Sequence, residues 1–365
     1  MFTVTKGRII IYRLYDVAAE INLSRAERIE KEGARRLQFS KQPYMKALEI
    51  TNPPISFDLS SFNIALFGKS VKASVIAKAY DFGVLSIVFD ISVPEETAME
   101  AIEGATRDLD TDKFIDDKAR EYAAQVMESL SGAITGPEIK EDFIEDYMIV
   151  YIESVGLGAS LEEFTRLYDP TRLLLRETRR VSAITKADTL RHRFSYYPDD
   201  LVVVHVDNAF IVEPSGSFDI PDILEFANAQ ILELRYYDSV IDRELNWIYT
   251  ELGSRKPVSI FRLREYERLA KKLTQTVADI TGVTEKVHNA LKVTEDVYYA
   301  RIYRTAMAIL RSKDWEVAIK EKLKIVTNTY KTMHDEISIK RGYILELGIF
   351  ILIVVEIFMV IFIGG

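Results

Sequence analysis

The feature that most constrains this chain is its last stretch, LELGIFILIVVEIFMVIFIGG, residues 345–365. From Tyr343 to Ile363 it runs 21 residues, the length that one helix needs to cross a hydrocarbon core. Sixteen of the residues between Ile344 and Ile363 are Ile, Leu, Phe or Val. At the usual transfer values near a helix centre they favour insertion by about 5–10 kcal/mol. Two carboxylates interrupt the run, Glu346 and Glu356. A central acid costs about 2.5–3.5 kcal/mol on the same kind of scale, so insertion still wins. A buried core helix is the competing reading, but apolarity on every face at the chain's end favours the membrane.

Lys340 and Arg341 stand just before the run, and only Gly364 and Gly365 follow it. The positive-inside bias therefore places the N-terminal part in the cytoplasm, or in an equivalent compartment such as a mitochondrial matrix. Both cations are positioned to meet lipid head groups. The opening MFTVTKGRIIIYRLYD lacks the apolar core and small-residue cleavage site of a signal peptide and is not a transit peptide. The expectation is a single-pass, tail-anchored protein of the cell membrane.

The remaining sequence divides into two zones. Residues 1–216 read as an acidic α+β head. Lys72–Tyr80 and Val84–Val93 flank Asp81-Phe82-Gly83, a hairpin signal. Pro94-Glu95-Glu96 opens a helical stretch, a second helix covers Lys113–Leu130, and Leu201–Val206 with Ala209–Val212 form another hairpin. Strands and helices interleave without βαβ regularity, which favours α+β over a doubly wound sheet. Glu213-Pro214-Ser215-Gly216-Ser217 reads as a linker.

Residues 217–341 read as a long helical, coiled-coil-like hairpin or bundle with a break near 253–257. Ile220, Leu224, Ala227, Ile231, Leu234, Asp238, Ile241, Leu245, Ile248 and Leu252 follow a 4-3 spacing, a heptad seam with one polar slot at Asp238. An ordinary amphipathic helix of a bundle fits this spacing as well as a self-associating coiled coil does.

Charge follows the same division. Residues 1–239 hold 27 basic and 40 acidic residues, whereas residues 240–342 hold 20 basic against 14 acidic. An acidic head is a poor direct ligand for nucleic acid, and none is expected as a partner. The chain has no cysteine and only four histidines, so thiolate chemistry and a histidine-built zinc site are not expected.

Catalytic motifs fail on inspection. Gly68-Lys69-Ser70 ends like a phosphate loop, but Asn63 stands where the earlier glycine belongs. Asp108, Asp110 and Asp112 suggest calcium, yet Lys113 and Ala119 occupy the glycine and glutamate positions of an EF-hand; a helix cap is the simpler reading. Arg191-His192-Arg193 reads as a solvated edge beside Tyr196-Tyr197. No cofactor and no catalytic residue is nominated.

The C-terminal third carries a family likeness. Trp315-Glu316, then Ile319-Lys320-Glu321-Lys322-Leu323-Lys324-Ile325 and Tyr330, lead to Leu345-Glu346 and on to Val355-Glu356-Ile357. This resembles the membrane protein family that includes the mitochondrial "required for meiotic nuclear division" proteins. They carry a similar helix, a Leu-Glu before the span and a second Glu ten residues later. The likeness covers about residues 285–360, with FGVLSIVFDISVPEE as a weaker second patch; Leu347 departs from the aromatic common there. It implies a membrane-anchored, oligomeric protein without assigned catalytic residues, whose mitochondrial relatives support translation.

These readings lead to a non-enzymatic scaffold or interaction platform, self-associating as a homo-oligomer through stalk and tail, with Glu346, Glu356 and Asp238 as assembly residues. The alternatives are a tether that recruits ribosomes through protein partners, and a hydrolase or nucleotide-handling head.

Overall fold

The computed structural model describes residues 2–29, 34–37, 48–156, 158–253, 291–293 and 298–363, with single helical positions between 268 and 289. Two compact units divide the chain. The first is Met1–Tyr236 with Lys286–Lys313; the second is Tyr237–Glu285 with Asp314–Gly365. The first unit is α+β, and the second is helical.

An eleven-stranded mixed sheet organises the first unit. Its middle strand is β1, Thr3–Asp16, and Ile9 to Asp16 are buried without interruption. A strand covered on both faces has no need of polar alternation, which is why this segment reads as an apolar run. β1 pairs antiparallel on one side with β5, Val84–Val93, and beyond it lies β4, Lys69–Ala79. β2, Ile55–Asp58, and β3, Phe62–Leu66, both pair with β4. On the other side β1 pairs with β6, Ile144–Val155; β6 runs parallel to β8, Asn208–Val212, and β7, Leu201–Val204, closes a hairpin with β8.

Glycine makes the turn between β4 and β5. Gly83 has φ +101, and a Cβ there would stand 2.0 Å from the Ala18 carbonyl oxygen. No other residue fits such an approach. The Gly-Lys-Ser sequence lies in a different turn. Phe67 and Gly68 both have positive φ, and Leu66 pairs with Lys69. That is the two-residue hairpin geometry matched to strand twist, and Lys69 and Ser70 are the first residues of β4.

One face of the sheet packs against α1, Met99–Asp110, and α2, Lys113–Ser129. Ile9, Ile11 and Tyr15 share a core there with Ile102, Leu109, Ile115 and Tyr122. Asp112 caps α2 by accepting the Phe114 amide at 2.9 Å, so the acidic run at 108–112 does a capping task. The start of α1 comes later than Pro94 suggests. Glu96 takes a positive φ, and Thr97–Ala98 pairs with Val4 and Thr3 before the helix begins.

The opposite face packs against the N-terminal half of α3, Asp219–Gly253. Between Asp219 and Leu234 every residue is buried except Asp222, which is half-buried. This half of α3 is a core helix of the first unit, wrapped on all sides. Phe226 meets Tyr80 and Phe82 at 5.5 and 6.2 Å. On its far side Gln230 donates to the Val287 carbonyl at 2.7 Å and accepts from the Tyr303 hydroxyl at 2.7 Å. Tyr303 belongs to α4, Tyr298–Ile309.

A buried charged cluster ties α3 to the sheet. Lys78 on β4 donates to Asp222 at 2.7 Å and to Glu225 at 2.5 Å. Burial pushes both carboxyls up and Lys78 opposes that rise; burial pulls Lys78 down, but its two carboxylates more than restore it, leaving it raised. Burial and the same carboxylates hold the Tyr12 and Tyr80 hydroxyls far above their usual range.

The second unit is built from the rest of α3, the helical positions up to Glu285, and α5, Ser312–Ile363, from Asp314 onward. Among the described residues Tyr237, Ile241 and Leu245 on α3, Ile280, and Ile319 and Val326 on α5 are its buried apolar residues. The expected helix break at 253–257 falls, beyond Gly253, outside the described residues.

Candidate functional site

The long helix α5 carries the features that bear on function. It is 52 residues and unbroken from Ser312 to Ile363. Nothing in its sequence stops it, since no proline follows Ser312 and Gly342 and Gly348 sit singly among strong helix formers. Its stretch Ser338–Met359 is 22 residues with a mean hydropathy of 2.3 and is 0% buried. At 1.5 Å per residue it is about 33 Å long, enough for a bilayer core of about 30 Å. Among the described residues there is therefore one helix long and apolar enough to cross a membrane, with its large side chains exposed on every face, Leu345 and Leu352 both at 69%.

Lys340 is half-buried and Arg341 is exposed, and both lie in the first turn of that stretch. Glu346 and Glu356 are exposed and ten residues apart, about 15 Å along the helix axis. Among the described residues neither glutamate has a hydrogen-bond or ion-pair partner.

Asp238 sits elsewhere, in the helical second unit. It is 8% exposed and accepts from Lys322 of α5 at 2.7 Å. Lys322 donates also to Asp242, at 2.8 Å, so one cation bridges two acids one turn apart. Partial burial pulls Lys322 down, yet the hydrogen bonds and attraction to Asp238 and Asp242 leave it raised and firmly charged. The polar slot in the apolar seam is thus filled by a charge pair within this chain. Sequence reasoning found Asp238 and missed Lys322, which lies 84 positions away with no local signal linking them.

The remaining candidate motifs have structural occupations. Gly68 is in a hairpin turn, Asp112 is a helix cap, and Arg193 pairs in register with Val203 at the sheet's edge. Among the described residues no three His, Asp or Glu side chains are grouped to hold a metal ion.

A mixed-sheet α+β unit, followed by helices of which the last has a membrane-crossing length and composition, defines the class. Residues 6–219 match the family described as "Uncharacterized protein MJ0711, N-terminal domain", and the chain belongs to that family. A curated relative, "Uncharacterized protein MJ0711" from Methanocaldococcus jannaschii, is 25% identical over 238 residues, covering 60% of this chain and 72% of that protein. No solved structure matches.

Proposed function

We propose that this is a non-catalytic, single-pass membrane protein that displays its α+β unit in the cytoplasm and self-associates through its helical second unit and tail, serving as an interaction platform. The observation that carries this reading is the apolar stretch Ser338–Met359 at the end of α5, none of which is buried. In water such a surface drives association or insertion, because a soluble monomer does not sustain a contiguous apolar patch of this size. Lys340 and Arg341 at its N-terminal edge supply the cytoplasmic orientation and contact anionic head groups. Glu356 supplies the reason to assemble. A carboxylate within the bilayer needs a proton or a donor on a neighbouring helix, and a single span has no neighbour in its own chain.

Membrane fractionation with an alkaline wash tests the anchor: the full chain is expected to stay in the pellet, and recovery in the supernatant overturns the reading. Protease added to sealed inverted vesicles is expected to digest the α+β unit; protection there reverses the orientation. Cross-linking of the detergent-solubilised protein is expected to give a discrete oligomer, and a strictly monomeric species removes the self-association.

A further inference from the structure

A cavity of about 320 Å³ lies in the first unit, where the loop after Arg193–Phe194, the loop after β8 and the start of α4 converge. Four of its walls are Tyr196, Tyr197, Tyr298 and Tyr299. Their rings meet edge to face in a chain: Tyr197 to Tyr196 at 4.9 Å, Tyr196 to Tyr298 at 5.6 Å, and Tyr298 to Tyr299 at 5.4 Å. Planes standing at 65–76° to one another present π faces in several directions, as the sides of a box do.

Among the described residues three carboxylates share the lining, and no Lys or Arg does. Two of the three hold the walls in place. Asp200 accepts the backbone N–H of Tyr196 at 2.7 Å and of Tyr197 at 2.9 Å. Glu213 accepts the amide and hydroxyl of Ser215 at 3.0 and 2.6 Å. The third, Asp199, is half-buried and has no hydrogen-bond or ion-pair partner among the described residues. Tyr298 is 5% exposed, and its hydroxyl is likewise buried without a partner. Burial and the nearby Asp200 push that hydroxyl far above its usual range, so it stays neutral, with Arg301 opposing weakly.

Aromatic faces, an unpaired carboxylate and no lining cation select a ligand by charge. An anion is repelled. A neutral apolar guest leaves Asp199 desolvated and unpaired, which costs free energy. A bare metal ion finds no cluster of three acidic or histidine ligands. A soft organic cation satisfies all parts at once, since it is attracted to ring faces and pairs with the carboxylate. The geometry points to this cavity as a binding site for a small alkylammonium cation, held by the Tyr196/Tyr298 walls and paired with Asp199. This goes beyond the membrane role and does not depend on it.

Isothermal titration of the full-length protein in a non-ionic detergent tests the site, with choline as probe and 3,3-dimethylbutanol as its uncharged isostere. Saturable choline binding is expected, with little or none for the alcohol. Tyr298→Leu and Asp199→Asn are each expected to weaken choline by roughly 2- to 30-fold, the range spanned by one cation–π or comparable contact. Asp199 is half-exposed and makes no side-chain bond among the described residues, so its asparagine variant keeps the fold and carries the decision if Tyr298→Leu unfolds. Equal binding of the alcohol, unchanged affinity in Asp199→Asn, or no saturable choline binding overturns the assignment.

Discussion

The core of the first unit and the terminal stretch of α5 both place carboxylates among apolar residues, and they treat them in opposite ways. Asp222 and Glu225 are enclosed with a lysine that reaches both. Glu346 and Glu356 stand on a helix whose every face is apolar and open, and neither has a partner within the described chain. The difference teaches where the compensation for a desolvated charge comes from. In the core it is built into the same fold. On the terminal helix no such partner stands among the described residues, and in the proposed membrane reading it would come from a proton or another copy.

Breaking the core arrangement has the largest expected effect. Lys78→Met leaves two enclosed carboxylates without a cation, and removing one partner of a buried ionic group costs about 3–5 kcal/mol. Urea denaturation is expected to show that loss, and the Lys78→Met, Asp222→Leu, Glu225→Leu triple variant is expected to recover much of it. If the triple is no more stable than the single, the charges do not account for the loss.

The next effect is a pH dependence. Asp16 is buried beside Lys140, which donates to it at 2.6 Å and lies 3.4 Å from the Tyr236 ring centre. Burial, only partly offset by Lys140, raises the Asp16 carboxyl to about 6. The folded protein therefore holds this proton more tightly than the unfolded chain. The group's contribution is fully present below about pH 4 and is lost as pH rises through about 6. The loss amounts to about 3 kcal/mol at most. Asp16→Asn is expected to flatten stability against pH across that window, and an unchanged slope would assign the dependence to other groups.

Asp238→Ala is expected to cost less, about 1–3 kcal/mol, because Lys322 is only partly buried and retains Asp242. Chemical denaturation of the solubilised protein measures it; a neutral result would make the Asp238–Lys322 contact incidental. The smallest effect on stability and the sharpest contrast come from Glu356→Leu. It is expected to leave membrane insertion and the unfolding of the α+β unit unchanged while weakening oligomerisation. Cross-linking yields that match the wild type would leave Glu356 as a tolerated acid with no partner to find.

Several parts of this architecture are legible in local sequence, and each has a local cause. The hairpin at 81–83 depends on one glycine whose φ no other residue adopts at that spacing. The start of α2 depends on Asp112 two residues before the amide it caps. Other parts were not legible. Residues 220–234 read as one apolar seam, yet Glu225, Asn228, Gln230 and Glu233 on the remaining faces are also buried. A polar residue signals solvent unless something distant satisfies it, and Lys78 and Tyr303 are distant. In sequence the cavity walls show only a tyrosine pair beside a basic triplet, because Tyr298 lies about a hundred positions further along the chain.

The length and apolarity of the terminal helix were determined by sequence alone, because both are properties of a continuous segment. So were the α+β class of the first unit and its main turns, which follow from residue-by-residue conformational limits. The parallel pairing of β6 with β8, the wrapping of α3 and the partners of Asp238 and Glu225 were decided only in three dimensions. Each joins residues far apart in the chain, and no local pattern records which distant group will arrive to satisfy a buried charge or complete a strand's hydrogen bonds.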